Sequence, residues 1–309
     1  MDHLTVLDAG FLHAEDSDPN ISLAIGGISV LEGPPPDFDV LVDTLTERLA
    51  QVPRLAATLV VLSPDDLQFE LAVPGFAQGE QVLRSLARKG VDLIAAIGFT
   101  HAQQVQTVAK EFPKTKFVLV DGTASGANVS SILFKEQEGS YLVGVAAALA
   151  SKSKKLGFIG GIDIPLIRAF VCGYTQGAKS VDAKIDVSQN IVGTTATAWN
   201  DPAKGGELAR AQMERGVDVI FAAAGGSGMG ALQATKEKGK MAIGVDSNQN
   251  YLFPGVMLTS MVKRVDNAIY DSFMQVKNGT WKAGISNLGL KEGGVDWALD
   301  KDNRSLITP

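Results

Sequence analysis

The sequence predicts a doubly wound α/β fold, and three observations carry that prediction. From Glu80 onward, short apolar runs alternate with helical patterns at a regular period, the signature of successive βαβ units. The apolar runs are continuous in Val, Ile, Leu and Ala, which suits parallel strands buried on both faces. The third observation is the stretch 155–179, KLGFIGGIDIPLIRAFVCGYTQGAK. A short apolar run leads into Gly160 and Gly161. A helical pattern follows, with Ile164, Ile167, Phe170, Val171 and Tyr174 spaced by three and four. Pro165 falls in its first turn, where a missing N–H costs nothing.

In chain order, the pattern predicts a helix over 81–89, a strand over 91–97, a helix over 101–111 and a strand over 116–120. An extended run at 129–134, a helix at 139–150 and the strand at 156–159 come next. The second half repeats the theme, with helix 165–179, strand 184–192, helix 202–215, strand 217–222 and helix 229–238. Strands at 241–245 and 256–260 and a helix at 262–276 complete it, and 285–290 and 295–299 read as two strands paired with each other. Residues 1–75 read differently. They hold a strand-like run at 22–31, a Pro-rich turn at 34–36 and one amphipathic helix near 38–49.

Composition narrows the function classes. A chain of 309 residues, 45% hydrophobic and 20% charged, is ample for one large domain or two smaller ones. A net charge of −6 argues against nucleic acid or an anionic membrane as the main partner. Cys172, the single cysteine, can form no internal disulfide, and its place in the helix pattern predicts a buried, inert thiol. No apolar run is long enough to span a bilayer. The opening stretch MDHLTVLDAGFLHAED is acidic, lacks the basic and apolar regions of a signal peptide, and has no nearby cysteine to carry a lipid.

In an open parallel sheet, ligands bind beyond the carboxyl ends of the strands. Those ends carry Gly98 and Phe99, Asp121 and Gly122, Gly160, Gly161 and Asp163, Gly225, Gly226 and Ser227, Asp246 and Asn248, and Lys263. Small residues, carboxylates, an ammonium and an aromatic ring suit a neutral, flat, hydroxyl-bearing ligand. Duller roles exist for each. Asp121 and Asp246 also fit turns in which the side chain bonds its own backbone. Lys263 fits a solvated helix start, although a cation is disfavoured there. Phe170 fits core packing.

The run from Gly226 to Ala231 satisfies a loose G-x-G-x-x-A pattern, with Asp246 twenty positions after Gly226. That is the alternative reading, a Rossmann-type NAD site. It is weakened because the run does not open the first βαβ unit. No lysine follows the glycines as a P-loop requires. No metal-ligand spacing appears, and three histidines are too few for a plausible Ser/His/Asp set.

Wording adds to this reading. FIGGIDIPLIRAFVCGYTQGAK resembles the basic membrane protein family (BMP, PnrA-like) of ABC transporter substrate-binding proteins, whose best-known members bind purine nucleosides. GEQVLRSLARKGVDLIAAIGF, VAKEFPKTKFVLVDG, RGVDVIFAAAGGSGMG, AIGVDSNQN, TSMVKRVDNAIYDSF and LGLKEGGVDWALD match in the same order, covering about 79–309. The resemblance implies a type I periplasmic-binding-protein fold of two lobes with a hinge. The lobes would be about 76–127 with 249–280, and about 128–248 with 281–309. It implies that Phe170 stacks on a purine, Asp121 meets the base, and Asp246 and Lys263 hold the ribose. The backbone of Gly225, Gly226 and Ser227 would lie against the sugar. It further implies a monomeric, non-enzymatic protein without cofactors, partnered by a nucleoside and an ABC permease. Members are periplasmic or lipid-anchored at the membrane, a location the acidic N-terminus does not match.

Residues 1–55 resemble instead the N-terminal fragment of bacterial wax ester synthase/diacylglycerol acyltransferases. That family's chemistry rests on HHxxxDG, and His3, His13 and His101 include no adjacent pair. This segment reads as a non-catalytic fragment fused to a binding domain, the pattern of a chimera. Nothing in residues 1–78 matches the strand and helix with a Ser-Phe-Asn stretch that open the binding-protein family, and relatives continue beyond the point matching Pro309. The first lobe is therefore expected to lack its own first strand, with residues 1–75 covering the edge. A transcriptional repressor of the same fold is a further alternative. It would need a helix-turn-helix ahead of the first lobe, where one clear helix is predicted.

Overall fold

A computed structural model describes the backbone of residues 69–72 and residues 79–307. The elements expected at 22–31, 34–36 and 38–49 lie outside the described residues. The described residues all fall in one compact unit, Val60–Pro309.

Two sheets organise the fold. The first contains β1 (Phe69–Ala72), β2 (Leu93–Ile97), β3 (Lys116–Val120), β4 (Val129–Phe134) and β10 (Gly284–Leu288), in that spatial order and all parallel. Helices α1 (Gly79–Arg88) and α2 (Ala102–Glu111) cover one face. Ile94 and Ala96 of β2 meet them, together with Phe117 and Leu119 of β3. The residues between, Leu93, Ala95, Val118 and Val120, point to the other face, where α7 (Val265–Lys277) packs. This two-residue alternation of wholly apolar positions is why the strands read as continuous hydrophobic runs.

The second sheet has the order β11 (Val295–Trp297), β9 (Met257–Lys263), β8 (Met241–Asp246), β7 (Val219–Ala223), β5 (Lys155–Gly160), β6 (Asp186–Ile191). All neighbours are parallel except β11, which runs antiparallel to β9. Helices α3 (Glu136–Ala150) and α4 (Pro165–Val181) cover the face to which Phe158, Phe221 and Ile243 point. Helices α5 (Pro202–Glu214) and α6 (Gly226–Glu237) cover Ile159, Ile220 and Ala242 on the opposite face. The fold is thus α/β with two doubly wound lobes, of the periplasmic-binding-protein type.

The chain passes between the lobes three times: at Lys135, at Arg264 and through 289–294. These crossings lie side by side. Lys135 N–H donates to Leu288 O at 2.9 Å, and Arg264 N–H donates to Gly294 O at 2.8 Å.

Several expectations need correction. The expected division placed 129–134 in the second lobe and 256–260 in the first. Instead β4 completes the first sheet and β9 the second, because each crossing follows its strand rather than preceding it. The two tail strands do not pair with each other: β10 joins β4 in the first sheet and β11 joins β9 in the second. Lys263 ends a strand, and the following helix starts at Val265 rather than 262. Cys172 is exposed, because the buried stripe of α4 runs through Ile167, Phe170, Gly173, Tyr174 and Gly177 and leaves position 172 on the far side. The edge next to β2 is covered: β1 pairs with it in parallel, from Phe69 opposite Leu93 to Ala72 opposite Ala96. The sequence reading placed no strand there.

Candidate binding site

Between the carboxyl ends of the two sheets lies a cavity of about 330 Å³. Of the residues expected to bind ligand, Asp121, Phe170, Gly225, Asp246 and Lys263 line it. Asp121 follows β3, and Asp246 ends β8. Both adopt left-handed backbone conformations, with φ of 63° and 64°. A non-glycine residue is uncommon there, and aspartate is among the few that tolerate it. The sharp turn aims both carboxylates back across the mouth of the sheets.

Lys263 connects them. Its side chain is 2% exposed, and Nζ donates to Asp121 Oδ1 at 2.6 Å. Glu136 Oε1 is 3.4 Å away and Asp246 Oδ1 4.0 Å. The rings of Phe134 and Phe170 lie 5.1 and 5.9 Å from the ammonium, within cation–π reach. Burial works against this charge, but Asp246, Asp121 and Glu136 outweigh it and hold the lysine pKa above its ordinary value. The Asp246 side chain is 60% exposed, and it lines the cavity enclosed between the two sheet ends. That enclosure pushes its carboxyl above the ordinary aspartate range, with Lys263 pulling it down and Asp121 adding to the rise.

Aromatic surface supplies the rest. Phe170 is 3% exposed and meets Phe221 edge-on at 6.2 Å, so it packs in the core and also lines the cavity. Across from it, Phe99 and Trp199 also line the cavity and meet edge to face with centroids 6.2 Å apart. Gly225 turns the chain at φ 56°, ψ −136°, beside the Trp199 carbonyl. Few other residues adopt that conformation.

Of the residues assigned to the ligand, Gly226 and Ser227 are not brought into the cavity. Ser227 is fully buried: its hydroxyl donates to Ala198 O at 2.8 Å and accepts from Asp201 N at 2.6 Å. It therefore fixes the turn that carries Trp199 (Ala196–Trp199) and the start of α5. Gly226 lies against Asn200 and does not line the cavity. The glycine pattern has a packing cause: a Cβ on Gly230 would collide with the Pro202 carbonyl, and one on Gly205 with the Ser227 carbonyl. Close contact between α5 and α6 thus accounts for the residues that mimic a dinucleotide loop. Asp163 pairs with Arg168 at 2.6 Å, and Asn248 donates to Asp300 at 2.7 Å; neither lines the cavity.

Trp199, Leu166, Thr100 and His101 line the cavity without having been singled out. His101 is 5% exposed, and its Nδ1 lies 2.9 Å from Gln104 Oε1. Thr100 and His101 follow β2 and Trp199 lies in the loop after β6, so strand ends were again the available signal. Among the described residues, no group of three His, Cys, Asp or Glu is placed to hold a metal ion, and no helix is long and apolar enough to cross a membrane.

A carboxylate pair, a charged lysine and aromatic walls thus meet in one cavity at the carboxyl ends of the two sheets. Residues 72–307 match the family model for ABC transporter substrate-binding proteins of the PnrA-like type (Bmp), and the chain belongs to that family. It is 37% identical over 235 residues to the ABC transporter nucleoside-binding protein BmpA of Lactococcus lactis, covering 70% of this chain and 66% of that protein. It is 35% identical over 232 residues to an uncharacterized lipoprotein of Pyrococcus abyssi, covering 71% of this chain and 57% of that one. The chain thus spans less than two thirds of these relatives' own length. Among solved structures, an ABC transporter solute-binding protein from Aeropyrum pernix K1 superposes with a TM-score of 0.67 at 30% identity, covering 87% of this chain and 74% of that one.

Proposed function

We propose that this protein captures a purine nucleoside between its lobes, without making or breaking bonds, and hands it to an ABC permease at the membrane. The observation that carries the reading is the set of three around one cavity: Lys263 with Asp121 and Asp246, beside Phe99, Phe170 and Trp199. A nucleoside offers one flat aromatic ring and several hydroxyls. Carboxylates accept from hydroxyls and from ring or exocyclic N–H groups, while an ammonium donates. A ring wedged among aromatic side chains gains burial and stacking together.

The roles follow from position. Asp121, on the first lobe beside Phe99, is assigned to the base, and Phe170 to one face of it. Asp246 and Lys263 are assigned to the ribose, with the Gly225 backbone alongside. Because both lobes contribute, a ligand touching both favours the closed arrangement by its differential affinity. Identity to a nucleoside-binding relative supports the choice of ligand.

Thermal denaturation with adenosine, guanosine, inosine, free pentoses, NAD and acyl-CoA tests it. Nucleosides should raise the melting temperature, since a ligand bound only to the folded state stabilises it by mass action. A shift with NAD and none with nucleosides overturns the reading.

A further inference from the structure

Glu136 stands behind this site, pairing with Lys263 but not lining the cavity. It is the first residue of α3, where the helix crosses from the first lobe, and it is 4% exposed. Its Oε1 is 3.4 Å from Lys263 Nζ, yet makes no hydrogen bond with any described residue. A buried carboxyl oxygen without a hydrogen bond is costly and uncommon, so its place behind the lysine needs a cause.

Counting charges supplies one. Lys263 is a single cation facing Asp121, Asp246 and Glu136. Its nearest carboxylate partner is Asp121, at 2.6 Å. For a ligand to use Asp121 as an acceptor and Lys263 as a donor, those two must release each other. The ammonium then needs a counter-charge within the protein, because it is 2% exposed and has little water to turn to. Glu136, 3.4 Å away and outside the cavity lining, is placed to provide it.

We propose that Glu136 is a positioning residue: when ionised it holds Lys263 toward the ligand, so that ligand capture is coupled to loss of the Glu136 proton. This rests on the cleft being the nucleoside site. The charged groups acting on Glu136 are Lys263 from β9 and Asp121 from the end of β3, with Lys135 and Glu138 beside it on its own segment. Burial, opposed by Lys263, pushes the Glu136 carboxyl up to about 7, so the unliganded group is divided between its two forms at neutral pH. Its seat at a helix N-terminus favours the ionised form once the lysine turns to it.

Calorimetric titration of adenosine, guanosine and inosine into the wild-type chain and Glu136→Gln, from pH 5.5 to 8.5, tests the proposal. For the wild type, affinity should rise roughly five- to tenfold across that range, with protons released to buffers of differing ionisation enthalpy. Glu136→Gln mimics the protonated acid, so its affinity should match the wild type at pH 5.5 and stay flat above it. Melting at pH 5.5, where both side chains are neutral, checks that the variant is folded. Identical pH profiles for the two proteins, or proton uptake on binding, overturn the role of Glu136 while leaving the ligand reading intact. Absence of nucleoside binding to the wild type at every pH overturns both.

Discussion

Lys263 Nζ lies 2.6 Å from Asp121 Oδ1, although the two residues are 142 positions apart and end strands of different sheets. The contact joins the carboxyl ends of the two sheets, with the Lys263 side chain 2% and the Asp121 side chain 17% exposed. With Glu136 and Asp246 beside it, this is a shared charge site rather than an isolated pair.

Removing the cation should therefore be costly in a pH-dependent way. Lys263→Met leaves three carboxyls facing one another, and breaking a buried pair on one side costs about 3 kcal/mol or more. Glu136 has a raised pKa in the folded state, so its contribution to stability is full below the unfolded value of 4.5 and is lost as pH rises through about 7. Without Lys263 that loss deepens. Thermal melts should show Lys263→Met less stable than wild type at pH 5, where the pair with Asp121 is lost, and by a larger margin at pH 8, where Glu136 is ionised as well. An equal deficit at both values would mean that packing, not charge, explains the lysine.

Asp246 has two separable roles, its carboxylate and its backbone. Asp246→Ala should weaken nucleoside binding by about 2 kcal/mol and also lose stability, because alanine resists the positive φ of 64°. Asp246→Asn tolerates that conformation and should reduce binding with little change in melting. Calorimetry and melting on both variants separate the effects. Unchanged affinity in the two variants would leave Asp246 as a turn residue.

Trp199 sits in the cavity beside Phe99 and is carried on a turn held by the Ser227 hydroxyl. Nucleoside binding should change its fluorescence, and Trp199→Ala should weaken binding about tenfold or more through lost stacking. Ser227→Ala should act on the same signal indirectly, by loosening the turn. Steady-state fluorescence titration reads both. A tryptophan signal indifferent to a ligand that does bind would place the base elsewhere in the cleft.

The edge strand β1 can be tested by truncation. A chain starting after Leu59 retains Phe69–Ala72, whereas one starting after Gly75 does not. Loss of β1 exposes the unpaired backbone groups of β2, so the shorter chain should melt lower and aggregate more readily. Melting and light scattering on the two truncations measure the difference. Equal stability would show that β1 contributes nothing to the sheet.

How much of this was legible in the sequence depended on where the signal was local. Strands β2, β3, β5, β7 and β8 are buried on both faces, so each shows as an uninterrupted apolar run. Asp121, Asp246 and Lys263 were accessible by the rule that sheets bind ligands at one edge. Pairing partners were not legible: segments 284–288 and 295–297 lie seven residues apart yet join different sheets, and only long-range register decides that. Ser227 misled because a serine beside glycines at a strand end looks like a ligand contact, whereas its partners, Ala198 and Asp201, come from the preceding loop. Glu136 was silent because its partner is a lysine at the end of β9, 127 positions further along the chain than this first residue of α3.

The threefold crossing has a consequence for how the protein is made. Each lobe is assembled from separated stretches of chain, so neither corresponds to a continuous piece that a ribosome could release ready-folded. The first sheet waits for Gly284–Leu288 and the second for Val295–Trp297. Until those residues emerge, β4 and β9 each lack a neighbour, at the very strands that lead into the hinge. A nascent chain of this protein therefore keeps the β4 edge open until Gly284–Leu288 emerge and the β9 edge open until Val295–Trp297 emerge, intervals in which unpaired strands are exposed to misassociation.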